Sequence, residues 1–338
     1  MVSGDVARPA GHVLPYRLRK VWDPAAYQDG PKSRGYFEGW YFKLVDAEQQ
    51  HALAVIPGVS MVRGGERHAF VQLNRDDGTS AYWRFPADDF RWSRERFEVC
   101  IGPNRFSSQG IELDLSGEAG TLKGAVTFGP WEPWPVTAFS PGIMGWYRFV
   151  PFMECYHGVL GLDHSLEGSL AIGGSTVGFT GGRGYAEKDW GRSFPEAWVW
   201  LQSNHFGTPG TSLTLSVAKI PFAGGWFIGQ IAGLLHDGHL YRFTTYTGAK
   251  LKRLTHREGG VTVVMADRHH ELTIDADGAH AGELASPVLG GMTGRVQESL
   301  TGRVHVRLTR VADGSAVFEG DGTSVGMELM DPNGVLAV

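Results

Sequence analysis

Cysteine is scarce in this chain of 338 residues, where Cys100 and Cys155 are the only two. That scarcity excludes a disulfide framework and any Cys-x-x-Cys zinc pattern. A reducing compartment is the simplest expectation. Charge of one sign is lacking too: the formal net charge of −5 leaves no global basic surface for nucleic acid. No apolar run is long enough to span a bilayer as a helix. The segment Met1 to Ala10 carries Asp5, Arg8 and Pro9 and lacks the apolar core of a secretory signal. The expectation is a cytoplasmic protein without a membrane span, which leaves open a lipid ligand and a peripheral membrane contact. The 3.6-residue period of a substantial helix is also missing from every long stretch.

What the chain has instead is glycine, 48 residues of it, and 12% aromatics. Glycines between short apolar runs indicate many turns and an all-β architecture. After an irregular lead-in over 1–33, with Pro9, Pro15, Pro24 and Pro31, short strands are expected at Ala52–Pro57, Ala69–Leu73 and Tyr82–Phe85. The pattern continues through Phe90–Cys100, Arg105–Leu115 and Gly120–Phe128. Leu166–Ile172 and Thr176–Thr180 read as a hairpin around Gly173-Gly174. Ser212–Ile220, Trp226–Leu235, Leu240–Thr245, Lys250–Thr255, Val261–Ala266 and Glu271–Ala276 follow at hairpin spacing, with His236-Asp237-Gly238 as a turn. Gly294–Arg310 and Ser315–Leu329 close the series. So many regular strands imply sandwiches or barrels, and their number implies two units, 34–180 and 181–338.

Residues 129–148 interrupt the rhythm with Trp131, Pro133, Trp134, Pro135 and Pro141, which suits either a flap over a pocket or a packed crossover. Beyond them, Glu154 and His157 stand i and i+3, on opposite faces of a strand, a poor arrangement for a metal. His269-His270-Glu271 reads as a solvated strand end. Gly181-Gly182-Arg183-Gly184 opens no helix and lacks the Lys-Ser/Thr ending of a phosphate loop.

One stretch, Gly184 to Asn204, concentrates the chemistry. As a strand, Tyr185 to Gly191 places Tyr185, Glu187 and Asp189 on one face, with Ala186, Lys188 and Trp190 on the other. Burial and mutual repulsion would raise the pKa of one of the two carboxyls, making it a proton donor near neutrality. Glu187 and Asp189 are therefore the candidate catalytic pair. The alternative is a structural role for Glu187, paired with Lys188 or Arg192. Farther along, Trp198, Trp200, Gln202 and Asn204 share a face, opposed by Ala197, Val199, Leu201 and Ser203. That stripe is too aromatic for a water face and too polar for a plain core, and it suits a cavity wall. A second aromatic run, Ser33 to Asp46, places Tyr36, Glu38, Trp40 and Phe42 on one face. A buried Glu38 needs a partner, for which Arg34 is at hand.

These motifs carry a resemblance. Ser-Arg-Gly-Tyr-Phe-Glu-Gly-Trp-Tyr-Phe-Lys at 33–43, Gly-Tyr-Ala-Glu-Lys-Asp-Trp-Gly-Arg-Ser-Phe-Pro at 184–195 and Trp-Val-Trp-Leu-Gln-Ser-Asn at 198–204 resemble signatures of the tocopherol cyclase family. The strand order over Leu284 to Leu329 is also similar, and carotenoid hydratases and lipocalin-like Diels–Alderases resemble the chain more distantly. The chain departs from the plant enzymes in being shorter and in carrying Asp189 where they have Asn. The resemblance implies two lipocalin-like units around an apolar cavity. It also implies closure of a ring on a prenylated quinol or terpenoid alkene by an acid, with no metal, nucleotide or other cofactor. The acid would be Glu187 with Asp189. The substrate contacts would come from Tyr185, Trp190, Trp198, Trp200, Gln202, Asn204, Glu38 and Trp40. A non-catalytic carrier of hydrophobic molecules and an isoprenoid hydratase are the competing expectations.

Overall fold

The computed structural model describes residues 15–30, 35–151, 153–222 and 224–338. Most of the expected lead-in therefore lies outside the described residues, as does Arg34. Alternation of apolar and polar residues, punctuated by glycine, builds two large sheets, antiparallel throughout. In the first, of twelve strands, the central pair is Tyr36–Val45 and Arg183–Gly191. Ala52–Met61, Arg67–Arg75 and Ser80–Pro86 extend it on one side. Cys155–Ile172, Gly120–Phe128, Gly110–Gly117, Asn104–Ser107, Glu98–Ile101 and Phe90–Trp92 extend it on the other. In the second, of eleven strands, Trp198–Ser203 and Ala316–Met330 are central neighbours, followed outward by Ser212–Phe222 on one side and Gly291–Arg310 on the other.

Strand parity sorts the side chains into three cores. In Tyr36–Val45, the residues Tyr36, Trp40, Phe42 and Leu44 enter the core of the first unit, with Ala186 and Trp190 beside them. Val199 and Leu201 enter the core of the second unit. The other faces of both central strands meet in between, where Tyr41, Val45, Tyr185, Trp198 and Trp200 form a third cluster. The central strands are buried on both faces, so they carry apolar or paired residues at every position.

The hairpin expected at Gly173-Gly174 forms, both glycines holding positive φ (57° and 97°) as a tight two-residue turn requires. Three expectations change. Arg183–Gly191 belongs to the first sheet, and the chain crosses to the second only between Gly191 and Trp198. A unit boundary at 180 is thus one strand early, because Phe179–Gly182 is a turn within the first sheet. Second, Gly282–Val288 is a strand pairing with Gly291–Arg310, hidden in sequence by Ser286 and Pro287. Third, part of the lead-in is ordered as a short helix, Tyr16–Arg19, and a segment ending at Gln28. The Pro/Trp-rich stretch 129–148, for which a flap and a packed crossover were both open, buries Trp134 but leaves Val136, Phe139 and Trp146 exposed, and it ends in a 3-10 turn at Gly145–Phe149.

Candidate active site between the two sheets

A cavity of about 190 Å³ lies between the sheets. Phe37, Gly39 and Tyr41 supply one wall, Trp198 and Trp200 another, and Met144 and Tyr147 come from the end of the Pro/Trp-rich stretch. Polar groups enter this apolar lining at few points: His157, Glu187, Asp189 and Glu328 are the titratable ones besides tyrosines and Cys155. A mostly apolar pocket with a few convergent polar groups is the usual form of a small-molecule site.

Glu187 and Asp189 reach the cavity because Arg183–Gly191 alternates, and Lys188 between them points away. Tyr185 Oη donates to Glu187 Oε2 at 2.5 Å, and Trp200 Nε1 donates to the same oxygen at 3.1 Å. Tyr185 itself is fully buried behind the carboxylate. His157, on the neighbouring strand Cys155–Ile172, faces both acids. Its Nδ1 is 2.9 Å from Asp189 Oδ1, and its Nε2 is 3.7 Å from Glu187 Oε2. Burial would keep His157 neutral, but Asp189 and then Glu187 outweigh it and raise its pKa to about 9. Glu187 rises to about 7: burial is the largest cause, the His157 charge opposes it, and Asp189 adds to it. Such a carboxyl exchanges protons near neutrality inside an apolar enclosure. His157, Glu187 and Asp189 each offer a ligand atom, all within 4.8 Å of one another, so this trio is also where a cation would sit. Glu154 is no part of it.

Several expected contacts lie elsewhere. Glu38 and Trp40 have the wrong parity for the cavity and face the first core. Glu38 pairs with Lys188 at 2.5 Å, both side chains wholly buried, and accepts from Gln28 N at 2.7 Å. Its ionic partner among the described residues is thus Lys188. The Lys188 ammonium lies 4.5 Å from the Trp40 ring centre and 5.0 Å from that of Trp190. Trp190, stacked on Tyr156, therefore belongs to this cation–aromatic cluster and not to the cavity. Gln202 and Asn204 share the face of Trp198 and Trp200 but lie past the end of the cavity. Gln202 Oε1 accepts from Lys43 Nζ at 3.0 Å, and Asn204 Nδ2 donates to Asp163 and to the Gly184 carbonyl, both at 2.9 Å.

Four participants went unnoticed in sequence: His157 as partner of the acid pair, Tyr41, Glu298 and Glu328. Glu298 lies between Val296 and Leu300 at i±2, and a lone carboxylate on an apolar face was the available signal. The buried Glu298 accepts from Tyr41 Oη at 2.5 Å and from Asn74 Nδ2 at 2.8 Å. Burial raises its pKa to about 7, against those hydrogen bonds and the nearby Lys43 charge.

A cavity with a protonatable acid between two lipocalin-like units defines the class of protein. The chain belongs to the tocopherol cyclase-like family, whose model matches residues 104–329. That span contains Glu187, Asp189 and His157 but not the 33–43 motif. A probable chloroplastic tocopherol cyclase of Oryza sativa subsp. japonica is 24% identical over 277 residues, 66% of this chain and 59% of that protein. The chloroplastic tocopherol cyclase of Zea mays is 27% identical over 108 residues, 31% of this chain and 23% of that protein. The matches thus span less than two thirds of either relative. Among solved structures, kievitone hydratase from Nectria haematococca superposes with a TM-score of 0.50 at 11% identity, covering 88% of this chain and 90% of that one. A Nitrosomonas europaea protein assigned as AttH gives 0.51 at 15% identity, with 97% and 99% covered. At such identities the likeness shows the shared all-β, lipocalin-like fold.

Proposed function

We propose that the cavity is the active site of an acid-catalysed cyclase or related isomerase acting on the alkene of a prenylated quinol or terpenoid. The observation that carries this reading is Glu187: a buried carboxyl, raised to about 7, on the wall of an apolar cavity beside Trp198 and Trp200. In the forward step Glu187 gives its proton to an alkene carbon, leaving a tertiary cation on the other. The faces of Trp198 and Trp200 stabilise that cation, while the His157 imidazolium and the Tyr185 and Trp200 donors stabilise the new carboxylate. The substrate hydroxyl oxygen then bonds to the cation and returns a proton to Glu187. Atoms balance, and the product is an isomer of the substrate. Asp189 holds His157 in its charged form and in position.

The test is turnover of prenylated quinols and isoprenoid alkenes in heavy water, read by mass spectrometry. Deuterium in a cyclised product of otherwise unchanged formula is expected. Glu187→Gln should abolish that product while ligand binding survives. Persistent turnover by the variant would remove Glu187 as the donor. A product heavier by one water would move the reaction to hydration, and a ligand retained unaltered would make the protein a carrier.

A further inference from the structure

Glu328 is a cavity carboxyl that the step above does not use. The pairing registers line up Ser216, Trp200, Glu328 and Glu298 directly across adjacent strands, so they share one face of the second sheet. Two carboxyls placed directly opposite cannot both ionise cheaply. Their hydrogen bonds decide which keeps the proton. Glu298 has a donor on each oxygen, from Tyr41 and Asn74, and feels the Lys43 ammonium. Glu328 has one donor, Trp198 Nε1, at 2.6 Å from Oε2. Burial and the charges of Glu298, Glu187 and Asp189 hold its pKa well above the ordinary carboxyl range. Oε2 accepts the indole N–H, and Oε1 has no hydrogen-bond partner among the described residues, which makes Oε1 the oxygen free to carry and donate the acid proton. Moreover, the cavity lining contains no lysine or arginine among the described residues, and its one imidazole is already engaged by Asp189.

We propose that Glu328 is the residue that anchors the ligand's head: its free carboxyl oxygen donates a hydrogen bond to the oxygen of an uncharged, apolar-chain ligand, and the surrounding carboxyls reject anionic heads. This rests on the reading of the cavity as a site for an apolar ligand, though not on any turnover. The anchor lies against Trp198, whereas Glu187 is held by Trp200, so the two indoles assign the oxygen-bearing end and the reacting alkene to different carboxyls. A ligand with its oxygen at Glu328 is thereby oriented before any proton moves.

Binding of farnesol, farnesene and farnesoic acid, followed by tryptophan fluorescence titration at pH 8, tests this. Glu328→Leu should weaken farnesol about tenfold, the scale of one lost hydrogen bond, and change farnesene less than about twofold. Comparing the same substitution on both ligands cancels their different hydration. Glu328→Gln, whose amide N–H replaces the donor, should hold farnesol within about threefold of the unsubstituted protein and shows that the site still folds. Farnesoate should bind the unsubstituted protein at least about tenfold more weakly than farnesol, because the one cation of the lining, His157, is already paired with Asp189 and does not compensate its burial. Equal weakening of farnesol and farnesene by Glu328→Leu would overturn the anchor while leaving the ligand cavity intact, as would farnesoate binding as tightly as farnesol. Absence of binding by all three would overturn the cavity reading and the anchor with it.

Discussion

Glu187 illustrates how burial and two charged neighbours set one proton. Burial lifts its pKa, His157 pulls it down, and Asp189 lifts it again. The donor form is the protonated one, so turnover should be maximal below about pH 7 and fall roughly tenfold per unit above it. His157, at about 9, stays charged across that fall. The pH–rate profile of kcat/KM checks this, and a plateau extending to pH 9 would exclude Glu187 as the titrating donor. Asp189→Asn should lower the pKa of His157 toward the ordinary imidazole range, since the largest charge sustaining it is gone. Imidazole proton shifts in an NMR titration would read that out, and an unchanged His157 would show that Asp189 does not control it. The Glu187–Asp189 face was legible because strand alternation is strict. His157 was not, because its partners lie on the neighbouring strand, and pairing register is invisible in a single segment.

At the level of the element, Tyr36–Val45 shows what one strand buried on both faces can do. Its even positions place Glu38 against Lys188 beneath the segment ending at Gln28. Its odd positions open the cavity. Lys188→Met should destabilise the protein by about 3–5 kcal/mol, because it strands a buried Glu38 charge. Denaturant titration measures this, and a loss under about 1 kcal/mol would mean that Glu38 simply takes up a proton. Gly39 pairs with Asp189 and lines the cavity. A Cβ there would meet nothing closer than the Pro57 carbonyl oxygen at 3.7 Å. Gly39→Leu should therefore fill the cavity and block ligand binding with little loss of stability, which paired binding and unfolding measurements would show. Undiminished ligand affinity would place the ligand elsewhere. The aromatic stripe in this strand invited the assignment of Glu38 and Trp40 to the ligand. Alternation states that they share a face, but not which face meets the cavity.

Across the whole molecule, the interface between the sheets stores several buried ionisable groups. Glu187 and Glu298 have folded pKa values near 7, raised from 4.5. A carboxyl raised in this way contributes stability that is fully present below its unfolded value and lost as pH climbs through the folded one. Stability should therefore decline between about pH 5 and 7. Above that range the depressed ammonium values of Lys43, about 7, and Lys188, about 8, act in the opposite sense. Glu298→Gln should flatten the decline, as measured by denaturant midpoints at pH 5 and pH 7. An equally steep decline in the variant would mean that Glu298 does not titrate there.

The sequence alone determined the all-β class, the many-stranded antiparallel plan and the pairing of Glu187 with Asp189 on one face. Glycine punctuation and two-residue alternation are local properties, readable wherever they occur. Its long aromatic motifs also carried the family resemblance. Tertiary structure decided which face of each central strand meets the cavity, that Arg183–Gly191 belongs to the first sheet, and that His157, Tyr41 and Glu328 converge there with Glu298 bonded to Tyr41. Those contacts join residues as far apart as Tyr41 and Glu298, 257 positions along the chain. Only the register between strands and the packing of one sheet on the other bring them within reach.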